Sequence, residues 1–231
     1  MKHGVSSLFW SGMADLGGLL ALILALTLPA VGNATADSTT TVPPQKVIQQ
    51  TSDRLLEILR SHRERLEADP GYAYQVANEV VVPHMDFDRA SELVLGKYWA
   101  KATPAQKQRF MDEFRALLVR TYATAVHQFS EWSLRHVPLQ VPEGATDVMV
   151  RVEVLQGGAA PVPVDYRMSL GNEDWKIYDV IVDGVSLVTN YRNSFSRVIR
   201  QGGLDALIAR MASMNEERVR QAAAGAQSVK N

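Results

Sequence analysis

The sequence VMVRVEV, residues 148–154, places a valine at every second position. Strict alternation of this kind is typical of a β-strand that is buried on one face only. The intervening Arg151 and Glu153 are charged and belong on the solvent side. The pattern therefore predicts a sheet with one face on a hydrophobic core and the other in water.

Two further strands are predicted after short turns. Gly157-Gly158 and Gly171-Asn172 are turn sequences, and strand-like apolar stretches follow them at residues 164–170 and 175–182. An additional strand is predicted at 137–141, where a proline favours the edge of the sheet. Because connections this short join antiparallel neighbours, the strands are expected to form an antiparallel meander.

Helices are predicted before the meander. Apolar residues at helical spacing mark residues 48–59 and about 72–82. Asp86 is a suitable N-cap for a third helix, and Gly96 suits its C-terminal end. A long amphipathic helix follows, and its apolar stripe reaches Phe129.

The start of that long helix carries the strongest local signal, because Thr103 and Gln106 can form a capping box. After the meander, helical spacing resumes at residues 188–199 and ends at the glycines 202–203, and a last helix carries residues 204–214. Helices, then a meander, then helices predict an α+β fold, in which helices pack on one face of a curved antiparallel sheet.

The N-terminus has the features of a secretory signal peptide: Lys2, an apolar run over residues 16–28, and small residues at 34–36. The next ten residues are rich in serine, threonine and proline, and the C-terminal residues are small and polar. The chain therefore divides into four predicted parts: a signal peptide at 1–36, a mobile leader at 37–46, a single domain at 47–220 and a flexible tail at 221–231.

Composition excludes several classes of protein. The 231 residues contain 24 Lys+Arg and 25 Asp+Glu, a net charge of −1, and no cysteine. This balance lacks the basic excess of a general nucleic-acid binder, so no nucleic-acid partner is expected. Without cysteine there is no thiolate metal site and no thiol catalysis. The signal peptide predicts that the mature protein is exported.

One fragment is similar to a nucleotide-binding motif and departs from it at required positions. Gly96-Lys97 is similar to the end of a phosphate-binding loop. That motif requires glycine where this chain has Ser91, and serine or threonine where it has Tyr98. No ATP-binding signature is present.

Two other fragments are similar to a catalytic motif and to a metal-binding pattern, but each lacks required residues. Ser186 lies between a strand and a helix, as a hydrolase nucleophile does, but Val188 replaces the final glycine of that motif. His84, Asp86 and Asp88 alternate like metal ligands, but the sequence supplies no matching histidine cluster. We predict no catalytic residue, no metal site and no cofactor.

Helices over a curved sheet can enclose an apolar cavity. The apolar faces of the long helix, the central strands and the helix at 188–199 are the candidates to line it. Periodicity does not distinguish a filled core from a hollow one. The residues predicted to line such a cavity are Phe110, Phe114, Leu117, Val150, Val152, Tyr166, Met168, Tyr191 and Phe195.

Two separated blocks of sequence resemble the MlaC family, also called the toluene-tolerance auxiliary family. The first contains LGKYW (95–99) and ATPAQ (102–106), and the second contains YDV (178–180) and GVSLVTNYR (184–192). The resemblance extends over roughly residues 47–211. Two blocks in the right order make it specific.

The resemblance implies an α+β fold, an NTF2-like cone, whose cavity holds the acyl chains of a phospholipid. It implies a periplasmic carrier that moves lipid between an outer-membrane lipoprotein–porin complex and an inner-membrane ABC transporter with an MCE-domain ring. Such transport preserves outer-membrane lipid asymmetry. A carrier that diffuses freely is expected to be a monomer. Arg192 lies in the second block, and its role is structural or a contact with headgroup or partner.

Two other functions stay open at this stage. An acid–base enzyme of the isomerase or dehydratase type needs an ionisable group inside the cavity, for which Asp165, Asp179 and His127 are the candidates. A periplasmic adaptor that binds only protein predicts a filled core and an exposed apolar patch.

Overall fold

The valine-rich stretch lies within an antiparallel sheet. The computed structural model of the protein describes residues 41–123, 133–156, 158–171 and 174–228. Within them the sheet has five strands, each paired antiparallel with its neighbour in chain order, as the sequence predicts. The strands are β1 (Ser133–His136), β2 (Asp147–Leu155), β3 (Val162–Leu170), β4 (Trp175–Val182) and β5 (Val185–Ser186).

The first strand lies earlier than the sequence predicts. The expected strand covers residues 137–141, whereas β1 ends at His136. Val137 still donates its N–H to the carbonyl of Arg151 at 3.1 Å. Pro138 has no N–H with which to continue the ladder, so the strand ends there. The prediction for this strand is wrong, and the proline explains its limit.

The two faces of the sheet differ as the alternation predicts. Val150 is fully buried on the helix-facing side. On the opposite side Arg151 donates two hydrogen bonds to Asp165, at 2.6 and 2.9 Å. The register of β3 against β4 shifts between Arg167 and Met168. A bulge at this position bends the strand and adds to the curvature of the sheet.

Helices precede and follow the meander and cover its apolar face. They are α1 (Pro44–Ser61), α2 (Arg63–Ala68), α3 (Pro70–Val76), α4 (Phe87–Leu95), α5 (Pro104–Tyr122) and α6 (Leu187–Ser228). A π-helical turn (Ala77–Val81) and a 3₁₀ turn (Val82–His84) connect α3 to α4, and a second 3₁₀ turn (Gly96–Lys101) precedes α5. The predicted α+β class is confirmed.

The predicted helix boundaries are formed by the expected side chains. The Asp86 carboxylate accepts a hydrogen bond from the N–H of Arg89 at 2.9 Å. Gly96 ends α4 with a φ of +52°, a left-handed conformation that glycine adopts without strain. Thr103 and Gln106 form both hydrogen bonds of the capping box, at 3.0 and 3.2 Å. These three local predictions are confirmed.

Two helices differ in detail from the prediction. The helix expected over residues 72–82 is α-helical only to Val76 and then widens into the π-helical turn. Gly203 interrupts α6 with a φ of 82° and a ψ of 176°, at the site where the sequence predicts a helix to end. The chain therefore changes direction at Gly203.

The structure bears on two of the four predicted segments. Helix α1 begins at Pro44, inside the predicted leader 37–46, and α6 continues to Ser228, inside the predicted tail 221–231. The predicted signal peptide 1–36 lies outside the described residues.

The buried apolar residues form two clusters. One lies between the sheet, α1 and α3. The other is made by α4, α5 and α6 and contains the aromatic side chains of the long helix. The division is important because the cavity described below is lined mainly by residues of the first cluster.

Candidate functional site: an apolar cavity under the sheet

A cavity of about 160 Å³ lies between the sheet and the helices that cover it. Helix α1 supplies Ile48 and Leu55, which face the core because apolar residues recur at helical spacing along α1. The sheet supplies Tyr166 from β3 and Ile177 and Val180 from β4. Tyr166 and Val180 are paired in the register of β3 and β4, so they lie side by side.

The opposite wall is formed by α3, the π-helical turn and the C-terminal part of α5. Val76 and Ala77 contribute from the first two elements, and Leu118, Val119 and Tyr122 contribute from α5. These α5 residues lie on a face adjacent to the aromatic stripe that begins at its N-terminal end. One helix therefore serves both clusters.

The cavity is lined almost wholly by apolar groups, and no charged residue is among the described residues that line it. The hydroxyls of Thr51 and Ser52 donate to the carbonyls of Val47 and Ile48, each at 2.8 Å. Their hydrogen-bonding capacity is thus used within α1. A cavity with these walls favours a hydrocarbon ligand.

Two tyrosine hydroxyls supply the remaining polarity. Burial raises the pKa of Tyr166 above its ordinary value. Burial also raises the pKa of Tyr122, although the neighbouring hydroxyl of Tyr191 acts in the opposite direction. Both hydroxyls therefore stay neutral at physiological pH.

The structure places the nine residues predicted to line a cavity in three different environments. Tyr166 lines it. Val150, Val152 and Met168 are fully buried beneath the sheet, outside the residues that line the cavity. The other five lie in the second cluster: Phe110, Phe114, Leu117, Tyr191 and Phe195.

The aromatic residues of the second cluster pack on one another. The ring centroid of Phe114 lies 5.5 Å from that of Phe110, 5.2 Å from that of Tyr191 and 6.0 Å from that of Phe195. Such spacing is typical of aromatic contacts in a filled core. These residues hold α5 against α6.

Sequence reasoning missed most of the residues that line the cavity. Ile48, Leu55 and Leu118 lie in the predicted amphipathic helices, and helical spacing predicts only that they are buried. Val81 and Met85 lie in the connection between α3 and α4. Their apolar character was the available signal, and it does not distinguish a wall from a core.

Arg192 has a structural contact in this fold. Its Nε donates a hydrogen bond to the carbonyl of Leu93 at 2.6 Å. Leu93 lies in the last turn of α4, where carbonyl groups lack partners within the helix. Arg192 therefore fixes the end of α4 against α6.

The candidates for acid–base chemistry do not meet in the cavity. Asp165 and Asp179 lie on the outer face of the sheet, where they pair with Arg151 and Arg167 respectively. His127 lies outside the described residues. The described lining thus contains no carboxylate and no imidazole.

Ser186 and Asp86 have structural partners. Ser186 donates to Asp179 at 2.7 Å and accepts from the N–H of Thr189 at 3.0 Å, so it belongs to the start of α6. Asp86 is the N-cap of α4. In the part of the chain that the structure describes, no group of three metal-ligating side chains comes together.

Few large apolar side chains are exposed among the described residues. The exposed large apolar side chains lie on separate segments and are Val42, Val141, Met149, Val185 and Val219. Among the helices that the structure describes, none has the length and apolar character needed to cross a membrane.

Comparison with known proteins finds a matching family and similar proteins whose names agree with it. The chain matches the MlaC protein family over residues 49–213. It is 29% identical over 189 residues to the toluene tolerance protein Ttg2D of Pseudomonas putida, covering 81% of this chain and 84% of that protein. It is 25% identical over 171 residues to the intermembrane phospholipid transport system binding protein MlaC of Haemophilus influenzae, covering 73% of this chain and 80% of that protein.

A solved structure is also similar. It is the phospholipid-binding protein from Ralstonia solanacearum in complex with a phospholipid, with a TM-score of 0.70 and 30% sequence identity. The match covers 77% of this chain and 99% of that one.

Proposed function

We propose that this chain, which belongs to the MlaC protein family, is a non-enzymatic carrier of phospholipid. The observation that carries the proposal is the uncharged apolar cavity between the sheet, α1, α3 and α5. The structurally similar protein from Ralstonia solanacearum was solved with a phospholipid bound, which supports the same ligand class here.

The physical need for such a cavity is large. Each methylene group removed from water contributes about 0.8 kcal/mol, so two long acyl chains would cost tens of kcal/mol to expose. Apolar walls offset most of this cost. The absence of a carboxylate and of an imidazole from the described lining also supports binding over the isomerase or dehydratase alternative.

The cavity must widen to hold a complete phospholipid. Its volume of about 160 Å³ is close to that of a cavity that binds benzene. Pockets for drug-sized ligands begin at about 300 Å³. The walls contributed by helices α1, α3 and α5 must therefore separate from the sheet when lipid enters.

We place this carrier in the periplasm as a monomer that exchanges lipid with membrane complexes. The proposed partners are an outer-membrane lipoprotein–porin complex and an inner-membrane ABC transporter with an MCE-domain ring. The predicted signal peptide and the lack of an ATP-binding signature support this role. Because no ATP-binding signature is present, the partners must shift lipid affinity through their contacts. The proposed outcome is outer-membrane lipid asymmetry.

The direct experiment is to purify the protein from the periplasm without detergent and to analyse its organic extract by mass spectrometry. Stoichiometric phospholipid is expected. A lipid-free protein that also takes up no phospholipid from liposomes would refute the proposed function.

A substitution in the cavity wall tests the site. Val119 is half-buried and lines the cavity. The Val119→Trp variant should therefore place its indole in the space that the acyl chains need, and lower the bound phospholipid at least about fivefold. Val219→Trp is the matched control, because Val219 is exposed on α6. Circular dichroism must show that both variants are folded. Full lipid content in a folded Val119→Trp variant would show that lipid binds elsewhere.

A further inference from the structure

A second depression lies on the outer side of the cavity wall. It is a polar groove of about 350 Å³ between α5 and the α3–π-turn segment. Tyr74 and Asn78 line one side, and Asp112, Arg115, Ala116, Val119 and Arg120 line the other. We refer to it as the arginine groove.

The arginine groove and the cavity share one wall. Val119 lines both. In the α3–π-turn segment, Ala73 and Ala77 line the cavity, whereas their neighbours Tyr74 and Asn78 line the arginine groove. Since successive residues of a helix are rotated by about 100°, the two helical segments present one face to each space.

The seam between the two spaces is built from small side chains. Ala77 lines the cavity, Ala116 lines the arginine groove, and Val119 lines both. The π-helical turn begins at Ala77, and such turns are frequent at functional sites. A molecule that extends from the cavity into the arginine groove therefore has little side-chain volume to displace.

The arginine groove has an excess of positive charge, with two arginines and one aspartate among the described residues that line it. Arg115 and Arg120 form no ion pair within the described residues, whereas six other arginines pair with a carboxylate at 3.6 Å or less. Arg115 donates instead to the neutral amide oxygen of Asn78 at 3.2 Å. Asp112 is the one acidic residue among the groove's described lining.

A third guanidinium lies close behind. Arg218 of α6 donates to the carbonyl of Arg120 at 3.1 Å. Asn78 is itself anchored, because its amide nitrogen donates to the carbonyl of Tyr74 at 2.7 Å. Asn78 thus positions Arg115, and the guanidinium groups of Arg115 and Arg120 favour an anion.

We propose that the arginine groove binds the phosphate group of the lipid whose acyl chains occupy the cavity, and that Arg115 and Arg120 donate hydrogen bonds to this phosphate. The inference rests on the proposed function. Guanidinium groups form paired, charge-assisted hydrogen bonds with phosphate oxygens. A phosphodiester joined to two hydrocarbon chains matches a charged groove that is separated from an apolar cavity by one thin seam.

The test compares two lipids with identical acyl chains, one with and one without phosphate. Delipidated protein is loaded with phosphatidylglycerol or with diacylglycerol, and release to acceptor vesicles is followed. The Arg115→Gln/Arg120→Gln variant should release phosphatidylglycerol about tenfold faster than the unsubstituted protein, because two charge-assisted bonds at a partly exposed site are lost. Release of diacylglycerol should not change.

Two control variants make the test specific. Arg109→Gln removes one charge from the same helix outside the arginine groove, where Arg109 lies 4.0 Å from Asp205, and should leave release unchanged. Arg115→Lys/Arg120→Lys keeps the charge and should restore most of the retention of phosphatidylglycerol. High salt should accelerate release from the unsubstituted protein and leave the double glutamine variant unaffected.

The outcomes separate the two proposals. Equal release of phosphatidylglycerol by the unsubstituted protein and by the folded double glutamine variant would overturn the arginine groove assignment and leave the carrier function standing. Uptake of neither lipid by the unsubstituted protein would overturn the carrier function and this inference with it. Glycerol 3-phosphate binding that requires both arginines but does not compete with phosphatidylglycerol would assign the groove to a soluble phosphate ester, and would also overturn the inference.

Discussion

At the scale of single residues, the clearest case is Asp179, which is buried although it lies on the outer face of the sheet. Its side chain is 1% exposed and lies 3.6 Å from Arg167. It accepts hydrogen bonds from the hydroxyl of Ser186 at 2.7 Å and from the N–H of Val188 at 3.0 Å. Asp179 therefore ties β4 to the first turn of α6.

Replacement of Asp179 by alanine should be strongly destabilising. The Asp179→Ala variant leaves a buried N–H without its partner, so the free energy of unfolding should fall by about 2–3 kcal/mol. Urea unfolding measures the change. Asp174→Ala is the control, because Asp174 is 72% exposed and its ion pair with Lys176 is 3.8 Å long; its cost should be below about 0.5 kcal/mol. Equal losses in the two variants would show that Asp179 is not a helix cap.

His136 gives the protein a pH dependence. Both ring nitrogens are buried and have no hydrogen-bond partner within the described residues. Burial lowers the pKa of His136 below its ordinary value, because the charged form is disfavoured. The unfolded chain therefore binds a proton more readily than the folded one, and stability should be lost as the pH falls below about 6.5.

The measurement is urea unfolding at pH 7.5 and pH 5.5. The protein should be less stable at pH 5.5, and the difference should shrink in the His136→Phe variant. It should not vanish, because burial and the charge of Lys176 also lower the pKa of His84. His62→Phe serves as control, since His62 lies on the exposed surface, and should keep the full difference. An undiminished difference in His136→Phe would exclude His136 as its source.

At the scale of elements, the break in α6 depends on one backbone conformation. Gly203 has a φ of 82° and a ψ of 176°, a region that is essentially restricted to glycine. A Cβ built on Gly203 meets no atom within 4 Å, so the constraint is in the backbone and not in packing. The break allows the segment after residue 203 to pack against α5.

The Gly203→Ala variant should lower the free energy of unfolding by about 1–3 kcal/mol because alanine resists this conformation. Thermal or urea unfolding reports it. Gly171→Ala is the control: its φ is not left-handed and its Cβ would lie 3.5 Å from the carbonyl of Asp174, an ordinary contact. A neutral Gly203→Ala variant would mean that α6 can straighten there without loss.

At the scale of the whole molecule, the protein is divided between a filled helical core and a hollow space under the sheet. Phe114 is buried in the filled core, and Val119, little more than one helical turn further along α5, lines the cavity. Mutations in the two regions should therefore have separable effects on stability and on lipid content.

The Phe114→Leu variant tests this division. It should lower the free energy of unfolding by about 1–2 kcal/mol, since it removes volume and aromatic contacts from a packed site. Its phospholipid content, measured by mass spectrometry below its unfolding temperature, should not change. Reduced lipid content in the folded variant would return Phe114 to the lining that the sequence predicted.

The local features of the fold could be predicted because their causes are local. Alternation along β2, the Asp86 cap and the Thr103–Gln106 capping box each depend on residues within one turn or one strand. The edge strand was misplaced because Pro138 ends pairing as well as favouring an edge. The widened turn at Ala77–Val81 had no signal in periodicity.

The sequence alone determined the class of fold, the order of its elements and the family to which the residues point. Which apolar face surrounds a cavity was decided only by the tertiary structure. Leu117 and Leu118 are adjacent leucines of α5. Leu117 is buried in the cluster with α6, whereas Leu118 packs only partly against that cluster and also lines the cavity beneath the sheet. Their chemistry is the same, and the difference arises from a rotation of about 100° between successive residues and from what each direction meets. Burial patterns record that a side chain leaves water, and only the positions of distant elements decide whether it meets another side chain or a cavity.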